Sequence, residues 1–304
     1  MKRAAAVARM SERGVFMELN TFKNIDAVYI TGHRNPDADS LVSAKIMQDI
    51  LTDNGIKAQW VIWQGDVVDP SSELLLADIM DKKPIVLTDE EIAGKKFLLV
   101  DHNDVLQSVG EVPLAVAAID HHSPSGQIEN VYLSDYCCTA LYIYMMFKDR
   151  YSFSNLQKQQ IFHAVLGDSV FGRSSRYKPQ KDGDGVKALG YTTDYDEYFK
   201  KYFIPTDLSN PQKAFSENGV KSYKYSWAEM KSGYIEAMDT DLMADYKAFV
   251  QNYDGNFLGI WLDYSVPKTY AFFKYNGELY EYVYNCVASR AALIMPYIIE
   301  TFGK

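Results

Sequence analysis

The stretch Thr31-Gly32-His33-Arg34-Asn35-Pro36-Asp37-Ala38-Asp39-Ser40 decides our interpretation of the fold. It follows Asp26-Ala27-Val28-Tyr29-Ile30, an apolar run that is typical of a buried parallel strand. It precedes apolar positions at helical spacing that end at Asn54-Gly55, and Ser40 is a suitable N-cap for that helix. We therefore expect one imidazole and two carboxylates at the carboxyl end of a strand, where open α/β sheets place their sites: His33, Asp37 and Asp39.

The composition bounds the class of protein. The chain has 304 residues, a formal net charge of -9 and three cysteines, which are Cys137, Cys138 and Cys286. Its length suits two domains, and its acidic balance argues against a broad nucleic-acid-binding face. So few cysteines fit a reducing compartment, and no apolar run approaches the roughly 18 residues of a membrane span. We expect a soluble, cytoplasmic protein.

Strands and helices alternate through the first half of the chain. Strand-like runs cover 58–63, 85–87, 96–100 and 114–119, and helical patterns cover 71–80, 137–147 and 156–166. This βαβ order predicts an α/β fold, with a doubly wound parallel sheet, over residues 23–184. Residues 1–22 are expected to form a flexible tail, because 1–16 are alanine-rich and basic without a signal-peptide core.

A second, smaller α+β domain is expected over residues 185–304, after a charged and glycine-rich linker at 181–185. Strand-like runs at 257–262, 269–275 and 279–283 belong to it, and Asn276-Gly277 predicts a hairpin turn between the last two. The pattern also predicts a closing helix over 292–302, although this segment contains Pro296.

Histidines and carboxylates gather where predicted elements end. The run 97–100 leads into Asp101-His102-Asn103, the run 116–119 into Asp120-His121-His122, and the helix 156–166 into Gly167-Asp168-Ser169. Carboxylates can bridge two ions, and imidazole favours a transition metal over magnesium or calcium. A closed structural site is the competing interpretation, but such sites use four ligands and this set is larger. The sequence therefore predicts a pair of divalent cations.

Four motifs carry a resemblance. Gly-His-Arg-Asn-Pro-Asp-Ala-Asp-Ser (32–40), Val-Asp-His-Asn (100–103), Ile-Asp-His-His (119–122) and Leu-Gly-Asp-Ser (166–169) resemble those of the DHH phosphoesterase superfamily. Within it, the sequence is most similar to the family II, manganese-dependent inorganic pyrophosphatases. The resemblance implies an N-terminal DHH domain, a DHHA2-like C-terminal domain and a homodimer. It also implies a set of metal ligands: His33 and Asp37 for one ion, Asp39, His121 and Asp168 for the other, and Asp101 as the bridge between them.

The resemblance further implies the chemistry. Two divalent cations, Mn²⁺ by expectation and Co²⁺ or Mg²⁺ as alternatives, would activate a shared water as a hydroxide that splits pyrophosphate into two phosphates. His122 and Asp37 would be catalytic residues, and His122 would also contact the substrate phosphate or donate a proton. Asp120, Asn35 and His102 would orient the ligands.

The C-terminal half departs from the family pattern. The family carries a Ser-Arg-Lys signature for phosphate binding, whereas this sequence has Ser289-Arg290-Ala291 and lacks the lysine. Arg290 can still bind phosphate through a two-pronged contact. Lys224 is the candidate for a second phosphate ligand. Other cations compete for that role, namely Lys213, Lys221, Arg173, Arg176 and Lys178.

Three functions stay open at this point. The first is hydrolysis of pyrophosphate, with a small phosphorylated substrate and no membrane or extended nucleic acid as partner. The second is hydrolysis of short oligonucleotides or nucleotide bisphosphates, but the Gly-Gly-Gly-His signature of that branch is missing here. The third is a non-catalytic protein that binds a phosphorylated ligand. The filled ligand positions argue against this third function.

Overall fold

The computed structural model describes residues 17–68, 70–109 and 114–303. The chain divides into two compact units. The first contains residues up to Gly172 together with Tyr177–Tyr202, and the second contains Arg173–Arg176 and residues from Phe203 onward. Among the described residues, no helix has both the length and the apolar character that crossing a lipid bilayer requires.

A parallel sheet forms the centre of the first unit. Its described strands are β1 (Val28–Thr31), β2 (Ala58–Trp63), β3 (Ile85–Leu87), β4 (Lys96–Val100), β5 (Leu114–Asp120) and β6 (Val131–Leu133). They lie in the order β3-β2-β1-β4-β5-β6. Strands β2 and β3 follow β1 toward one edge of the sheet, and β5 and β6 follow β4 toward the opposite edge. This confirms the doubly wound α/β prediction and creates a crevice between the carboxyl ends of β1 and β4.

Helices cover this sheet. They are α1 (Ala38–Asp53), α2 (Pro70–Leu76), α3 (Asp89–Ile92), α4 (Thr139–Phe147), α5 (Asn155–Asp168), α6 (Lys181–Leu189) and α7 (Asp196–Tyr202). Helix α1 is buried along most of its length because it packs against α4 and α5 as well as against the sheet. Its first turn therefore lies inside the protein, which is where the polar loop 32–37 delivers its side chains.

Several predicted boundaries differ from the structure. Helix α1 begins at Ala38 with Asp37 as its N-cap, since the Asp37 side chain accepts a hydrogen bond from the Ser40 backbone N–H at 3.0 Å. The prediction of Ser40 as the cap is therefore wrong. The segment 181–185 starts α6 instead of a linker, because Val186 and Leu189 are buried and anchor the helix. The first unit accordingly extends to Tyr202, beyond the predicted boundary at 184/185.

The predicted tail also needs a correction. Its residues 1–16 lie outside the described part of the chain, but residues 17–22 are packed. Leu19–Phe22 forms one turn of 3₁₀ helix, and the Met17 and Phe22 side chains are buried. Arg150 Nη2 donates a hydrogen bond to the Met17 carbonyl oxygen at 3.0 Å. Apolar burial and this bond together hold the segment against the first unit.

The second unit contains a mixed sheet. Its strands are β7 (Lys221–Lys224), β8 (Glu229–Ala237), β9 (Phe257–Asp263), β10 (Lys268–Tyr275) and β11 (Glu278–Tyr284), and its helices are α8 (Pro211–Glu217), α9 (Met243–Asn252) and α10 (Met295–Phe302). The order is β11-β10-β9-β8-β7, with β8 and β9 parallel and the other neighbours antiparallel. Phe215, Tyr246 and Trp261 belong to its buried core. The unit is α+β, as predicted.

Two local predictions for this unit have clear outcomes. Asn276 and Gly277 both have positive φ values, 51° and 87°, and join β10 to β11, so the predicted hairpin turn is confirmed. The predicted closing helix is divided: a π-helical turn over Arg290–Ile294 comes first, and α10 begins at Met295. Pro296 lacks a backbone N–H and is tolerated in the first turn of a helix, where no such donor is needed.

Candidate metal centre

The candidate site lies at the carboxyl edge of the first unit's sheet. The loops that follow β1, β4 and β5 meet there with the last turn of α5. Gly32 allows the first loop to lie close to α1, because a Cβ at that position would lie 2.4 Å from Ser40 Cβ. Any larger residue would push the loop away from the helix. The close approach lets His33, Asp37 and Asp39 reach the crevice between β1 and β4.

One group of donors surrounds His33. Its Nε2 lies 3.4 Å from Asp37 Oδ2 and 3.5 Å from Asp101 Oδ2, and its Nδ1 donates to the Arg34 carbonyl oxygen at 2.9 Å. A carbonyl oxygen only accepts hydrogen bonds, so Nδ1 carries the proton. In the neutral ring, Nε2 then presents a lone pair toward two carboxylate oxygens. Three acceptors that face one another in this way favour a cation or a shared proton among them.

A second group surrounds His121 and has the same form. Its Nε2 lies 3.2 Å from Asp101 Oδ1, 3.4 Å from Asp168 Oδ2 and 3.9 Å from Asp39 Oδ2. Its Nδ1 donates to the Tyr136 carbonyl oxygen at 3.2 Å. This hydrogen bond fixes the tautomer that directs Nε2 to the carboxylates, as a metal-binding imidazole needs.

Asp101 connects the two groups. Its Oδ2 faces His33 and its Oδ1 faces His121, so each oxygen belongs to a different cluster. Ser40 Oγ donates to Oδ2 at 2.7 Å, and Thr139 Oγ1 donates to Oδ1 at 3.3 Å. The residue also has a φ of 60°, in the left-handed region that side chains other than glycine rarely adopt. Such backbone strain is typical of functional sites, where the surrounding structure holds it.

Asp39 is held by the start of α4. The backbone N–H groups of Thr139 and Ala140 donate to its two oxygens at 2.6 and 2.8 Å, and Ser43 Oγ donates at 3.0 Å. Cys138 Sγ contributes a longer contact of 3.2 Å. A helix N-terminus stabilises negative charge, so α4 compensates part of the cost of burying this carboxylate.

The electrostatics of the site fit divalent cations. Burial raises the pKa of Asp39, and repulsion from Asp101 raises it further. Burial and repulsion from Asp37 likewise raise the pKa of Asp101. Carboxylates that are buried close together hold protons more tightly unless positive charge lies between them. The donor set therefore suits two ions of the type that accept both oxygen and imidazole nitrogen, with Asp101 shared.

His122 is oriented by Asp120. Asp120 Oδ1 accepts from the His122 ring Nδ1 at 2.8 Å and from the backbone N–H groups of His121 and His122 at 2.7 and 3.0 Å. Asn103 Nδ2 donates to the other oxygen at 2.5 Å. Burial opposes ionisation here, but His122 and these donors lower the pKa of Asp120 below its usual range. The contacts agree with the expectation that Asp120 positions its neighbours.

The other predicted orienting residues have different surroundings. Asn35 donates its backbone N–H to Asp66 Oδ1 at 3.0 Å and accepts the Val67 N–H on its own Oδ1, so it anchors the loop. His102 Nδ1 donates to the Val100 carbonyl oxygen, and within the described residues its Nε2 has no hydrogen-bond partner. Burial lowers the pKa of His102 to about 4. The hydrogen bond from His102 to Val100 does not support a role toward a metal ligand.

The two candidate substrate ligands of the second half lie in the second unit. Lys224 Nζ pairs with Glu229 Oε1 at 2.5 Å, and the Lys224 side chain is largely exposed. Arg290 Nη1 donates to the carbonyl oxygens of Gly219 and Ser232 at 2.6 and 3.3 Å. The structure thus shows protein partners for both cations, and their roles toward substrate stay predictions.

Sequence reasoning missed the residues that hold the carboxylates. Ser40 was interpreted as a helix cap, and no role was predicted for Thr139, although both donate hydroxyl hydrogen bonds to Asp101. The position of Thr139 at the start of a predicted helix was the available signal, since helix N-termini bind anions. Nothing local in the sequence indicates which anion it meets.

The chain is similar in sequence to known proteins. Residues 27–167 match the DHH family, N-terminal domain. A protein from Staphylococcus saprophyticus, named as a probable manganese-dependent inorganic pyrophosphatase, is 27% identical over 226 residues, which cover 70% of this chain and 72% of the relative. A protein of the same name from Staphylococcus haemolyticus is 30% identical over 185 residues, 56% of this chain and 57% of the relative.

The fold of the chain also has a solved counterpart. A structure from Methanococcus jannaschii, provisionally assigned to the family II inorganic pyrophosphatases, matches with a TM-score of 0.71. The match covers 91% of this chain and 100% of that chain, at 19% sequence identity. At this identity the likeness establishes the shared fold. Every residue of the predicted ligand set except Asp168 falls within the matched residues 27–167, and Asp168 follows directly.

Proposed function

We propose that this protein is a metal-dependent phosphohydrolase that converts inorganic pyrophosphate and water to two phosphates. The observation that carries this proposal is the position of Asp101, whose two oxygens face two separate His-carboxylate clusters. Such an arrangement suits two cations that share one ligand, and pairs of cations are a common means of catalysing phosphoryl transfer. The similarity to proteins named manganese-dependent inorganic pyrophosphatases supports Mn²⁺ as the ion and pyrophosphate as the substrate.

In this proposal, one ion is held by His33, Asp37 and Asp101, and the other by Asp39, Asp101, His121 and Asp168. The ions would lower the pKa of bound water and neutralise phosphoryl oxygens. Arg290 and Lys224 stay proposed substrate ligands on the basis of the sequence resemblance. A cytoplasmic location and a homodimer likewise stay predictions.

The protein's own residues contribute orientation and proton transfer. Asp120 accepts a hydrogen bond from His122 Nδ1, so that Nε2, when it is also protonated, can donate a hydrogen bond or a proton to a phosphate oxygen. The His122 side chain is 32% exposed, which leaves it accessible to a ligand. Asp37 is also partly exposed, at 39%, whereas Asp39 and Asp101 are buried. The two exposed groups therefore mark the face of the site that meets substrate, and both are proposed as catalytic residues.

The proposal is tested by phosphate release from the purified protein with Mn²⁺. Three substrates should be compared at equal concentration: inorganic pyrophosphate, a short RNA and an adenosine bisphosphate. We expect pyrophosphate to be hydrolysed much faster than either ester. Faster hydrolysis of the RNA or the bisphosphate would instead favour the phosphodiesterase or phosphatase alternative, and no release from any substrate would favour a binding protein.

A His122→Gln variant provides the matched control for the assay. It keeps a polar side chain of similar size but cannot carry a proton at Nε2. The variant should still bind Mn²⁺, since His122 is outside the proposed ligand set. Loss of phosphate release without loss of Mn²⁺ binding therefore assigns the activity to this site and excludes a contaminating phosphatase.

A further inference from the structure

Arg34 places a cation inside the proposed metal-binding loop. It follows His33 directly, and its guanidinium side chain is 36% exposed. The loop after β1 and the loop after β2 lie at the same edge of the sheet, because the two parallel strands are neighbours. The hydrogen bond from Arg34 to Asp66, a residue of the loop after β2, places the Arg34 side chain toward β2, and the proposed function so far gives it no role.

The guanidinium is held in a fixed orientation. Its Nε donates to Asp66 Oδ1 at 2.9 Å, and its Cζ lies 3.7 Å from the centroid of the Trp63 ring. Asp66 is itself anchored, since it also accepts the backbone N–H groups of Asn35 and Trp63 at 3.0 Å each. The Trp63 indole is fixed by a hydrogen bond of 2.8 Å from Nε1 to Asp89. The ring stacking sets the plane of the guanidinium, and the Asp66 bond sets its direction.

This arrangement leaves one edge of the guanidinium available. Only Nε takes part in a hydrogen bond to the described residues, so the N–H groups of Nη1 and Nη2 have no protein acceptor there. The two terminal nitrogens of an arginine form a planar fork that matches two oxygens of one phosphoryl group. A fork that is oriented before binding loses less conformational freedom when an anion arrives.

The proposed substrate needs such a cation. Pyrophosphate is highly anionic, and the proposed ligand set already contains four carboxylates, Asp37, Asp39, Asp101 and Asp168. In the second unit, the family lysine is replaced by Ala291, Lys224 pairs with Glu229, and Arg290 donates to carbonyl oxygens. Arg34 differs from these candidates because it follows a proposed metal ligand directly in the chain and because neither of its terminal nitrogens has a protein acceptor among the described residues.

We propose that Arg34 is a further substrate-binding residue, which binds one phosphoryl group of the anhydride through Nη1 and Nη2. The inference rests on the proposed function. Asp66 and Trp63 act through Arg34 as positioning residues. The same contact would bind inorganic phosphate, the product of the proposed reaction.

The test compares Arg34→Gln and Arg34→Lys with a matched control, Lys96→Gln. Lys96 is the exposed first residue of β4 and lies at the opposite end of the same sheet, away from the candidate site. Its replacement by glutamine removes one positive charge, as Arg34→Gln does. At saturating Mn²⁺, Arg34→Gln should raise KM for pyrophosphate and the inhibition constant of inorganic phosphate by about tenfold or more, the usual effect of losing a charged hydrogen bond. The value of kcat should change less, and Mn²⁺ affinity should stay the same.

Arg34→Lys should give intermediate constants, because it keeps the charge but loses the fork. Lys96→Gln should match the wild type. The proposal is overturned if Arg34→Gln has the same KM and phosphate inhibition constant as Lys96→Gln. It is also overturned if Arg34→Gln loses Mn²⁺ affinity while phosphate inhibition at saturating Mn²⁺ is unchanged, since Arg34 would then only hold the loop.

Failure of the proposed function gives a distinct result. If the wild type releases no phosphate from pyrophosphate, calorimetric titration of pyrophosphate into the Mn²⁺-loaded proteins decides the role of Arg34. Weaker binding to Arg34→Gln than to Lys96→Gln supports an anion-binding residue in a non-catalytic site. Equal binding to both variants, or no binding to the wild type, overturns it.

Discussion

Replacing Asp101 by asparagine should stabilise the metal-free protein and abolish the proposed activity. Asp101 is 2% exposed and faces Asp37 in one cluster and Asp39 across the other. Burial, followed by repulsion from Asp37, raises its pKa from 3.8 to about 7. The folded protein therefore favours the neutral carboxyl group, and ionisation at higher pH works against folding when no cation is present.

The sign and size of this effect follow from proton linkage. Below pH 3.8 the Asp101 carboxyl group is protonated in both the folded and the unfolded chain. As the pH rises from there through about 7, the unfolded chain loses this proton first, so the free energy of unfolding falls. A rise of about 3 in pKa corresponds to about 4 kcal/mol at most, and Asp39 shares part of it because the two carboxylates interact. Asparagine carries no charge, and the hydroxyl groups of Ser40 and Thr139 can rotate to accept from its amide.

Thermal unfolding measured by circular dichroism in EDTA tests the prediction. The wild type should melt at a lower temperature at about pH 8 than at about pH 5, whereas Asp101→Asn should change less between the two. Addition of Mn²⁺ should reverse the order of the two proteins at the higher pH. A ligand that binds the folded state more tightly stabilises it more, and the variant lacks the charged group that both ions would share.

Asp120→Asn is the control for this experiment, with the opposite expected sign. Asp120 is also buried, but four donors satisfy it and its pKa is lowered, so its charge stabilises the fold. This variant should melt below the wild type at both pH values. The reasoning is refuted if metal-free Asp101→Asn is no more stable than the wild type at the higher pH, or if Mn²⁺ stabilises both equally.

Three further predictions follow from the same contacts. Mn²⁺ affinity should increase as the pH rises through about 7, because Asp39 and Asp101 must lose protons to bind an ion; a flat affinity in calorimetric titrations would contradict this. His122→Gln should lower kcat by about 10²–10⁴ while calorimetric Mn²⁺ binding is retained, and unchanged turnover would remove His122 from the proposed mechanism. Gly32→Ala should destabilise the protein by roughly 1–3 kcal/mol in thermal melts and weaken Mn²⁺ binding, because its Cβ would meet Ser40 Cβ at 2.4 Å; a melting temperature equal to wild type would show that the loop can move at no cost.

The donor atoms of the candidate site could be predicted from the sequence because they follow a simple rule. His33, Asp101 and His121 each stand where an apolar run stops, and the carboxyl ends of parallel strands meet at one edge. The alternation of strands with helices is visible in short windows of sequence. The fold class and the neighbourhood of the donors are therefore encoded locally, even though the residues lie far apart in the chain.

The errors arose where a long-range contact overrode a local preference. Ser40 has the side chain of a helix cap, but its hydroxyl is bonded to Asp101, and Asp37 takes the cap instead. The segment 181–185 has the charge and glycine content of a linker, yet Asp182 is buried and accepts the Cys137 backbone N–H at 3.0 Å. Neither partner can be identified from a window of neighbouring residues, because each bond joins distant parts of the chain.

Thr139 is a second residue whose long-range partners cannot be identified from neighbouring sequence. Thr139 donates its backbone N–H to Asp39 and its hydroxyl to Asp101, so one residue at the start of α4 contacts both carboxylates. Asp101 reaches both imidazoles, and Asp39 lies on the His121 side. The position of α4 therefore sets how far apart the two carboxylates lie, and with them the two proposed ion sites. Packing of α4 against α1 thus contributes to the candidate metal centre, because a shift of either helix would change the distance between the donors.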